Sequence, residues 1–303
     1  MDKGLIFDLK RYAINDGPGV RTAVFFKGCP LRCKWCHNPE GQSPEPEIIL
    51  REKRCQEECV ECLSICPQRA LSKQGKKIKI ERQKCDLCGK CATVCIYRAL
   101  EIVGREISVK ELLEEVLKDM VFFDQSKGGI TFSGGEPLFQ PNFLETTLRE
   151  FKKRGVHTAV DTAGYVSFEI FEMIVDKVDL FLYDIKLMGE SKHKKYTGVS
   201  NRLILRNLER IVSLGKEVIV RLPLIHGVND DSQNIHEISK YLLSLKRINE
   251  IHLLPYHRGG EGKYRSLGKR ISFQGRFEPP PDESLKEIKE RLKDRGFSVK
   301  IGG

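Results

Sequence analysis

All eleven cysteines of this 303-residue chain fall between Cys29 and Cys95, and none occurs in the 208 residues that follow. A chain that confines its sulfur this way cannot be stitched together by disulfides. The long C-terminal part must fold on an apolar core of its own, and the cysteines must serve local sites. The count is odd, and the N-terminus, MDKGLIFDLKRYAINDGPG, is charged and has no apolar h-region, so a secreted, oxidising setting is not expected. No run of about 18 apolar residues occurs, so no membrane span is expected. The expected location is cytoplasmic, and metal binding is the natural use for the cysteines.

The cysteines form three groups. Residues 28–40 read GCPLRCKWCHNPE, with Cys29, Cys33 and Cys36 spaced C-x3-C-x2-C and Trp35 just before the third. Iron–sulfur cubanes are normally held by four thiolates. A group of three leaves one iron open, the general mark of a metal centre that meets a substrate. Cys85, Cys88, Cys91 and Cys95 follow the bacterial ferredoxin run C-x2-C-x2-C-x3-C. Cys55, Cys59, Cys62 and Cys66 open with x3 instead of x2 but keep the closing C-x3-C-P. In such pairs the fourth cysteine of each run ligates the other cluster. That rule assigns Cys55, Cys59, Cys62 and Cys95 to one cluster, and Cys66, Cys85, Cys88 and Cys91 to the other. A pair of four-cysteine zinc sites is the alternative, although zinc modules usually separate two C-x2-C knuckles by a longer spacer. The similar segments QRALSKQGKK and YRALEIVGRE behind the two runs read as a duplicated half. The boundaries expected are an insert over residues 46–101, entered through SPEPE, within a host domain of residues 1–45 and 102–303.

After residue 101 strands and helices alternate. AVFFKG, ITFSG, HTAVDTAG, DLFLYDIK, EVIVRLPLI and EIHLLPYH read as buried strands, with FSVKI as a last edge strand. Between them VKELLEEVLKDMVFF, PNFLETTLREFKKRG, FEIFEMIVDK, NRLILRNLERIVSLG, DSQNIHEISKYLLSL and DESLKEIKERLKDRG carry helical periodicity. Near-continuous apolar strands separated by helices predict an α/β fold with a helix-covered parallel sheet of six β/α units. Functional groups in such folds gather at strand C-termini.

Each of those termini ends in a polar cluster. Gly134, Gly135 and Glu136 close the second strand; alone they would be an ordinary βα turn, in which glycines let backbone approach a ligand closely. Asp161 closes the third strand, and Asp184, Ile185 and Lys186 the fourth. Arg221 lies on the fifth and His257 follows the sixth. Taken by itself, Asp161 with Lys186 could be a buried pair that only shapes loops. No G-x-S-x-G elbow, H-E-x-x-H or P-loop is present. The formal charge of +10 falls to about +5 if three clusters are bound, and no nucleic-acid signature accompanies it, so no nucleic-acid partner is expected.

The string GPGVRTAVFFKGCPLRCKWCHNPE, residues 17–40, resembles the glycyl-radical-enzyme activating enzymes of the radical S-adenosylmethionine (SAM) superfamily, the pyruvate formate-lyase activating enzyme-like group. The likeness extends over nearly the whole chain and matches the branch that has a two-cluster ferredoxin-like insert. It implies a partial (β/α)6 barrel, open on one side, and three [4Fe–4S] clusters. One of these, on Cys29, Cys33 and Cys36, would bind SAM. It implies further that Gly134, Gly135 and Glu136 meet the methionine amino group, that Asp161, Asp184, Ile185 and Lys186 contact SAM, and that Arg221 contacts SAM or the protein substrate. Trp35, Cys36 and His37 would lie against adenine, and His257 near SAM and an incoming peptide. The implied catalytic set is Cys29, Cys33, Cys36, Lys186 and His257. The implied reaction is reductive cleavage of SAM to a 5′-deoxyadenosyl radical, which takes hydrogen from a glycine Cα of a partner glycyl radical enzyme. A flavodoxin or ferredoxin-type protein would donate the electron. The alternatives are a radical SAM enzyme acting on a small molecule, and a pure electron carrier, which would need neither the three-cysteine site nor the Gly-Gly-Glu turn.

Overall fold

The computed structural model describes residues 3–269 and 277–302. Its strands are β1 (Lys3–Ala13), β2 (Arg21–Phe26), β3 (Glu47–Leu50), β4 (Leu71–Gln74), β5 (Lys77–Ile80), β6 (Leu100–Val103), β7 (Arg105–Ser108), β8 (Gly129–Gly134), β9 (His157–Thr162), β10 (Leu180–Asp184), β11 (Glu217–Leu224), β12 (Glu250–Pro255) and β13 (Ser298–Ile301). Nine of them form one open sheet in the order β13-β12-β11-β10-β9-β8-β2-β1-β7. From β2 through β13 every neighbouring pair is parallel. The expected α/β parallel sheet is therefore present, with the six expected strands as β2 and β8 to β12, and β13 at the edge.

Strand periodicity sorts the side chains. On one face Val24, Phe26, Ile130, Phe132, Val160, Phe181, Tyr183, Val218 and Val220 join helix residues such as Leu148, Phe171, Leu208 and Leu242 in the main core. On the other face a smaller apolar set, Ala159, Leu180, Leu182 and Ile219, gives way toward the strand ends to Asp161, Asp184 and Arg221. A period of two does this: residues i and i+2 share a face.

Two antiparallel strands at the sheet's edge were not anticipated. β1 pairs with β2 on one side and β7 on the other. The apolar run Leu5, Ile6, Phe7 with Leu9 between Asp8 and Lys10 is short and only partly alternating, which makes its strand signal weak. The helix expected over residues 109–123 is divided into Val109–Val116, a 3-10 turn Leu117–Asp119 and Met120–Ser126. Asp119 explains the division. Its buried carboxylate accepts from the Thr22 hydroxyl at 2.7 Å and pairs with Arg11 at 3.1 Å, which pins that turn to the N-terminal hairpin. Two short helices, Glu190–Thr197 and Gly259–Ser266, also escaped the periodicity, because their residues are mainly polar.

The segment between β2 and β7 builds a compact unit. β3 and β6 form one antiparallel ribbon, β4 and β5 another, and the short helices Glu61–Ser64 and Lys90–Thr93 lie between. Ile48, Leu50, Cys62, Leu71, Ile78, Cys91, Ala99 and Leu100 make its own small core, separate from that of the sheet. The outer ribbon pairs Glu47 with Val103, so the unit closes just past residue 101.

Candidate active site

The loop with Cys29, Cys33 and Cys36 leaves the C-terminal end of β2 and is laid along the helix Glu190–Thr197. Arg32 N donates to the Thr197 carbonyl at 2.7 Å and Lys34 N to the Tyr196 carbonyl at 3.0 Å. Trp35 anchors it, buried in a cluster with Leu187, Tyr196, Ile225, Val228, Tyr256 and Phe277. All eleven cysteines are free of disulfides. Burial pushes the Cys33 thiol up to about 12, against the opposing pull of Lys186, and raises Cys29 and Cys36 too. Thiols held like this ionise only beside a strong positive charge, and a coordinated metal supplies one.

The Gly-Gly-Glu turn closes against this loop. Gly135 N donates to the Phe26 carbonyl and Glu136 N to the Gly28 carbonyl, both at 2.8 Å. Gly134 sits at φ +114, and a Cβ on Gly135 would collide with the carbonyl oxygens of Gly28 and Gly41. Only glycine fits either position. The Glu136 side chain is not free for a ligand. Its carboxylate accepts from the Thr162 hydroxyl at 2.7 Å, Ala163 N at 2.9 Å and Leu138 N at 3.3 Å. It braces β8 to the end of β9, and burial raises its pKa to about 7 despite these donors.

The inner-face charges form one tier. Ser133 donates to Asp161 at 2.6 Å, and Arg221 lies 3.4 Å from the same carboxylate. Asp184 is the cross-strand partner of Arg221. Its Oδ2 accepts from Lys186 at 2.6 Å. Burial alone would lower Lys186; Asp184 and Cys33 outweigh it and raise the ammonium's pKa, so the lysine stays charged. Burial likewise raises Asp161, partly offset by Arg221. Four atoms of this region are buried without a hydrogen bond: Asp184 Oδ1, Arg221 Nε, Arg221 Nη1, which has only its ion-pair contact with Asp161, and His37 Nε2. Unmade hydrogen bonds cost roughly 1–3 kcal/mol each, so such a gathering marks a place built for a polar ligand.

His37 packs on Tyr256 and on His257, with the two imidazoles 4.0 Å apart. Burial, with His257 adding to it, depresses His37 to about 4. His257 is exposed at the rim, where its Nδ1 accepts from Gly259 N at 3.2 Å. Ile185 differs from expectation. Its side chain belongs to the main core, and only its backbone borders the strand-end tier. Sequence reading missed Asn229, a buried amide that donates to the carbonyls of Lys186 at 2.8 Å and Pro223 at 2.6 Å. It ties the loop after β10 to that after β11, and its signal was its place in LPLIHGVND behind Arg221.

The other eight cysteines line two separate clefts. Cys66, Cys85, Cys88 and Cys91 face a space of about 330 Å³ with Ile48, Leu71, Ile80 and Ile102. Cys55, Cys59, Cys62 and Cys95 face one of about 320 Å³ with Gln56, Glu61, Val94, Tyr97, Ala99 and Leu100. The grouping is the one expected from the crossed fourth ligand. Among the described residues, no three His, Cys, Asp or Glu side chains converge as they would around a single metal ion.

The Radical SAM superfamily family model matches residues 83–238, downstream of the Cys29–Cys36 loop. The chain is 44% identical to the trans-4-hydroxy-L-proline dehydratase activating enzyme of Clostridioides difficile, over 99% of both chains. It is 38% identical to the choline trimethylamine-lyase activating enzyme of Oleidesulfovibrio alaskensis, over 99% of this chain and 98% of that one. A solved domain of a pyruvate-formate lyase-activating enzyme from Bacteroides vulgatus ATCC 8482 aligns with a TM-score of 0.50 at 35% identity, covering 58% of this chain and 99% of the domain. Among the described residues no helix is long and apolar enough to cross a membrane.

Proposed function

The chain belongs to the radical SAM superfamily and, within it, to the activating enzymes of glycyl radical enzymes; on that premise we propose how its own residues divide the work. Cys29, Cys33 and Cys36 would hold a [4Fe–4S] cluster whose open iron takes SAM, at the mouth of a partial barrel formed by β2 and β8 to β12. When bound, that cluster supplies the electron that splits SAM into methionine and a 5′-deoxyadenosyl radical, which abstracts hydrogen from a glycine Cα of the partner.

The observation that carries this division is the set of buried atoms on Asp184, Arg221 and His37 that make no hydrogen bond. SAM presents an ammonium, a carboxylate, ribose hydroxyls and an adenine, each able to complete one of them. Lys186, held charged beside Asp184, orients the carboxylate end. The backbone of Gly134 and Gly135 takes the amino group, with Glu136 and Asn229 keeping the turn and the loops in place. The cluster of Trp35, Tyr256 and Phe277 excludes water, which protects a reactive radical from side reactions. His257, exposed at the rim, is positioned for the partner's glycine-bearing segment rather than for SAM alone.

The two four-cysteine clefts support two further [4Fe–4S] clusters in a ferredoxin-like insert over residues 46–101, three clusters in all, with a flavodoxin or ferredoxin-type protein as donor and a cytoplasmic location. The test uses reconstituted protein, SAM, a reductant and a glycyl radical lyase deuterated at its acceptor glycine. Deuterium should appear in 5′-deoxyadenosine. Cleavage of SAM with the label left in the lyase refutes direct abstraction.

A further inference from the structure

One polar helix, unforeseen from the sequence, joins the cysteine loop to the insert. Gly259–Ser266 follows β12, and its near face rests on the residues trailing the triplet. A Cβ on Gly260 would come within 2.9 Å of the Cys36 carbonyl oxygen. Lys263 donates to Asn38 Oδ1 at 3.0 Å and pairs with Glu40 at 3.2 Å. Tyr264 is buried, and its hydroxyl accepts from Gln42 at 3.3 Å.

The far end of the same segment meets the insert. Arg82, three residues before Cys85, donates through Nη2 to the Ser266 carbonyl at 3.3 Å and through Nη1 to the Ile48 carbonyl in β3. Lys269 pairs with Glu47 at 2.7 Å. The other oxygen of Glu47 receives Lys27 at 3.2 Å. Lys27 is fully buried, stands two residues before Cys29 and also donates to the Glu40 carbonyl at 2.8 Å. Glu47 is the first residue of β3. One carboxylate thus joins the exit of β2, the entrance of the insert and the segment behind β12.

We propose that Glu47 and Arg82 are positioning residues that lock the Cys66/Cys85/Cys88/Cys91 side of the insert against the Cys29–Cys36 loop, with the helix Gly259–Ser266 as the strut between them. This inference rests on the reading that loop and insert both carry clusters. Exposed ion pairs alone would not lock anything, since their contributions are small and screened. Here one partner is a wholly buried ammonium, and the other contact is a guanidinium fork across two carbonyls, a geometry that lysine cannot reproduce.

The test compares reconstituted full-length protein with Arg82→Ala, Arg82→Lys and Glu47→Gln. Iron per chain is measured first, then hydrogen–deuterium exchange, then the electron paramagnetic resonance relaxation of the reduced clusters. With full iron retained, Arg82→Ala should speed exchange in residues 47–50 and 259–269 by about tenfold, the factor expected on losing one charge-assisted contact. It should also weaken the magnetic interaction between the loop cluster and the insert. Arg82→Lys should recover only part of either change. Glu47→Gln, which removes the one negative charge shared by Lys27 and Lys269, should exceed Arg82→Ala. Unchanged exchange and unchanged relaxation in Arg82→Ala and Glu47→Gln at full iron overturn the lock. If the parental protein binds only about four irons, the three-cluster reading fails, and the exchange comparison still decides whether the strut exists.

Discussion

The loop carrying Cys29, Cys33 and Cys36 and the insert carrying the other eight cysteines place the same side chain in opposite surroundings. Lys186 and Asp184 act on the triplet's Cys33, Arg221 stands across from Asp184, and these residues with His37 hold four buried polar atoms that make no hydrogen bond. Besides its cysteines, one cleft of the insert is lined mainly by isoleucine, leucine and alanine and the other by Val94, Ala99 and Leu100 with Gln56, Glu61 and Tyr97, and no residue lining either contributes such an atom. Four thiolates close a coordination shell, so an apolar lining suffices. Three leave it open, and the neighbouring charges make sense only if a polar molecule completes the site. On the proposed assignment, sulfur count and surroundings vary together, and that pairing would separate the SAM site from the two closed clusters of the insert.

The sharpest way to break this contrast is to remove the triplet. Replacing Cys29, Cys33 and Cys36 with Ala should abolish formation of 5′-deoxyadenosine and remove about a third of the iron, four of roughly twelve. Iron analysis beside product quantification checks it; full iron with no cleavage would mean the triplet is not a cluster site. The reciprocal change, Cys88→Ala with Cys91→Ala, should remove about four irons and leave SAM affinity at the parental value in equilibrium titration. A parallel fall in SAM affinity would show that the two regions are not independent.

Within the open site, Lys186→Ala should weaken SAM binding by about 10- to 150-fold, the loss of a charge-assisted contact worth roughly 1.5–3 kcal/mol. Equilibrium titration with labelled SAM is the readout, and unchanged affinity would remove the end of β10 from the site. The smallest effect concerns Glu136. Its folded pKa is raised from 4.5 to about 7, so between those values the folded chain keeps a proton that the unfolded chain has released. Stability then falls as pH rises through that window and stays lowered above it. Against Glu136→Gln, which does not titrate, the wild type should lose relative thermal stability from about pH 4.5 to about pH 7. A gap that is constant with pH would mean that the carboxylate is not buried as the geometry has it.

Much of this was legible in the residues themselves. The three cysteine groups, their sorting into two sets of four, and the six strands with a polar residue at each end follow from spacing and period. Those features depend on chain connectivity over a few residues, which sequence states directly. The misses share a different cause. β1 and the helix Gly259–Ser266 are amphipathic or polar, and they are held by tertiary contacts rather than by intrinsic periodicity. Glu136 and Ile185 lie where the motif put them, yet the carboxylate of one is spent on β9 and the side chain of the other on the core, because strand period and register decide which face each residue meets.

By itself, then, the sequence determined the chemistry available: where thiolates cluster, how many each group holds, and which strand ends carry charge. Only the tertiary structure decided which of those charges meet. Asp184 stands opposite Arg221 through the register of β10 and β11, and Glu47 gathers Lys27 and Lys269 from segments more than two hundred residues apart. Contacts of that range depend on how strands align and elements pack, and no local pattern encodes them.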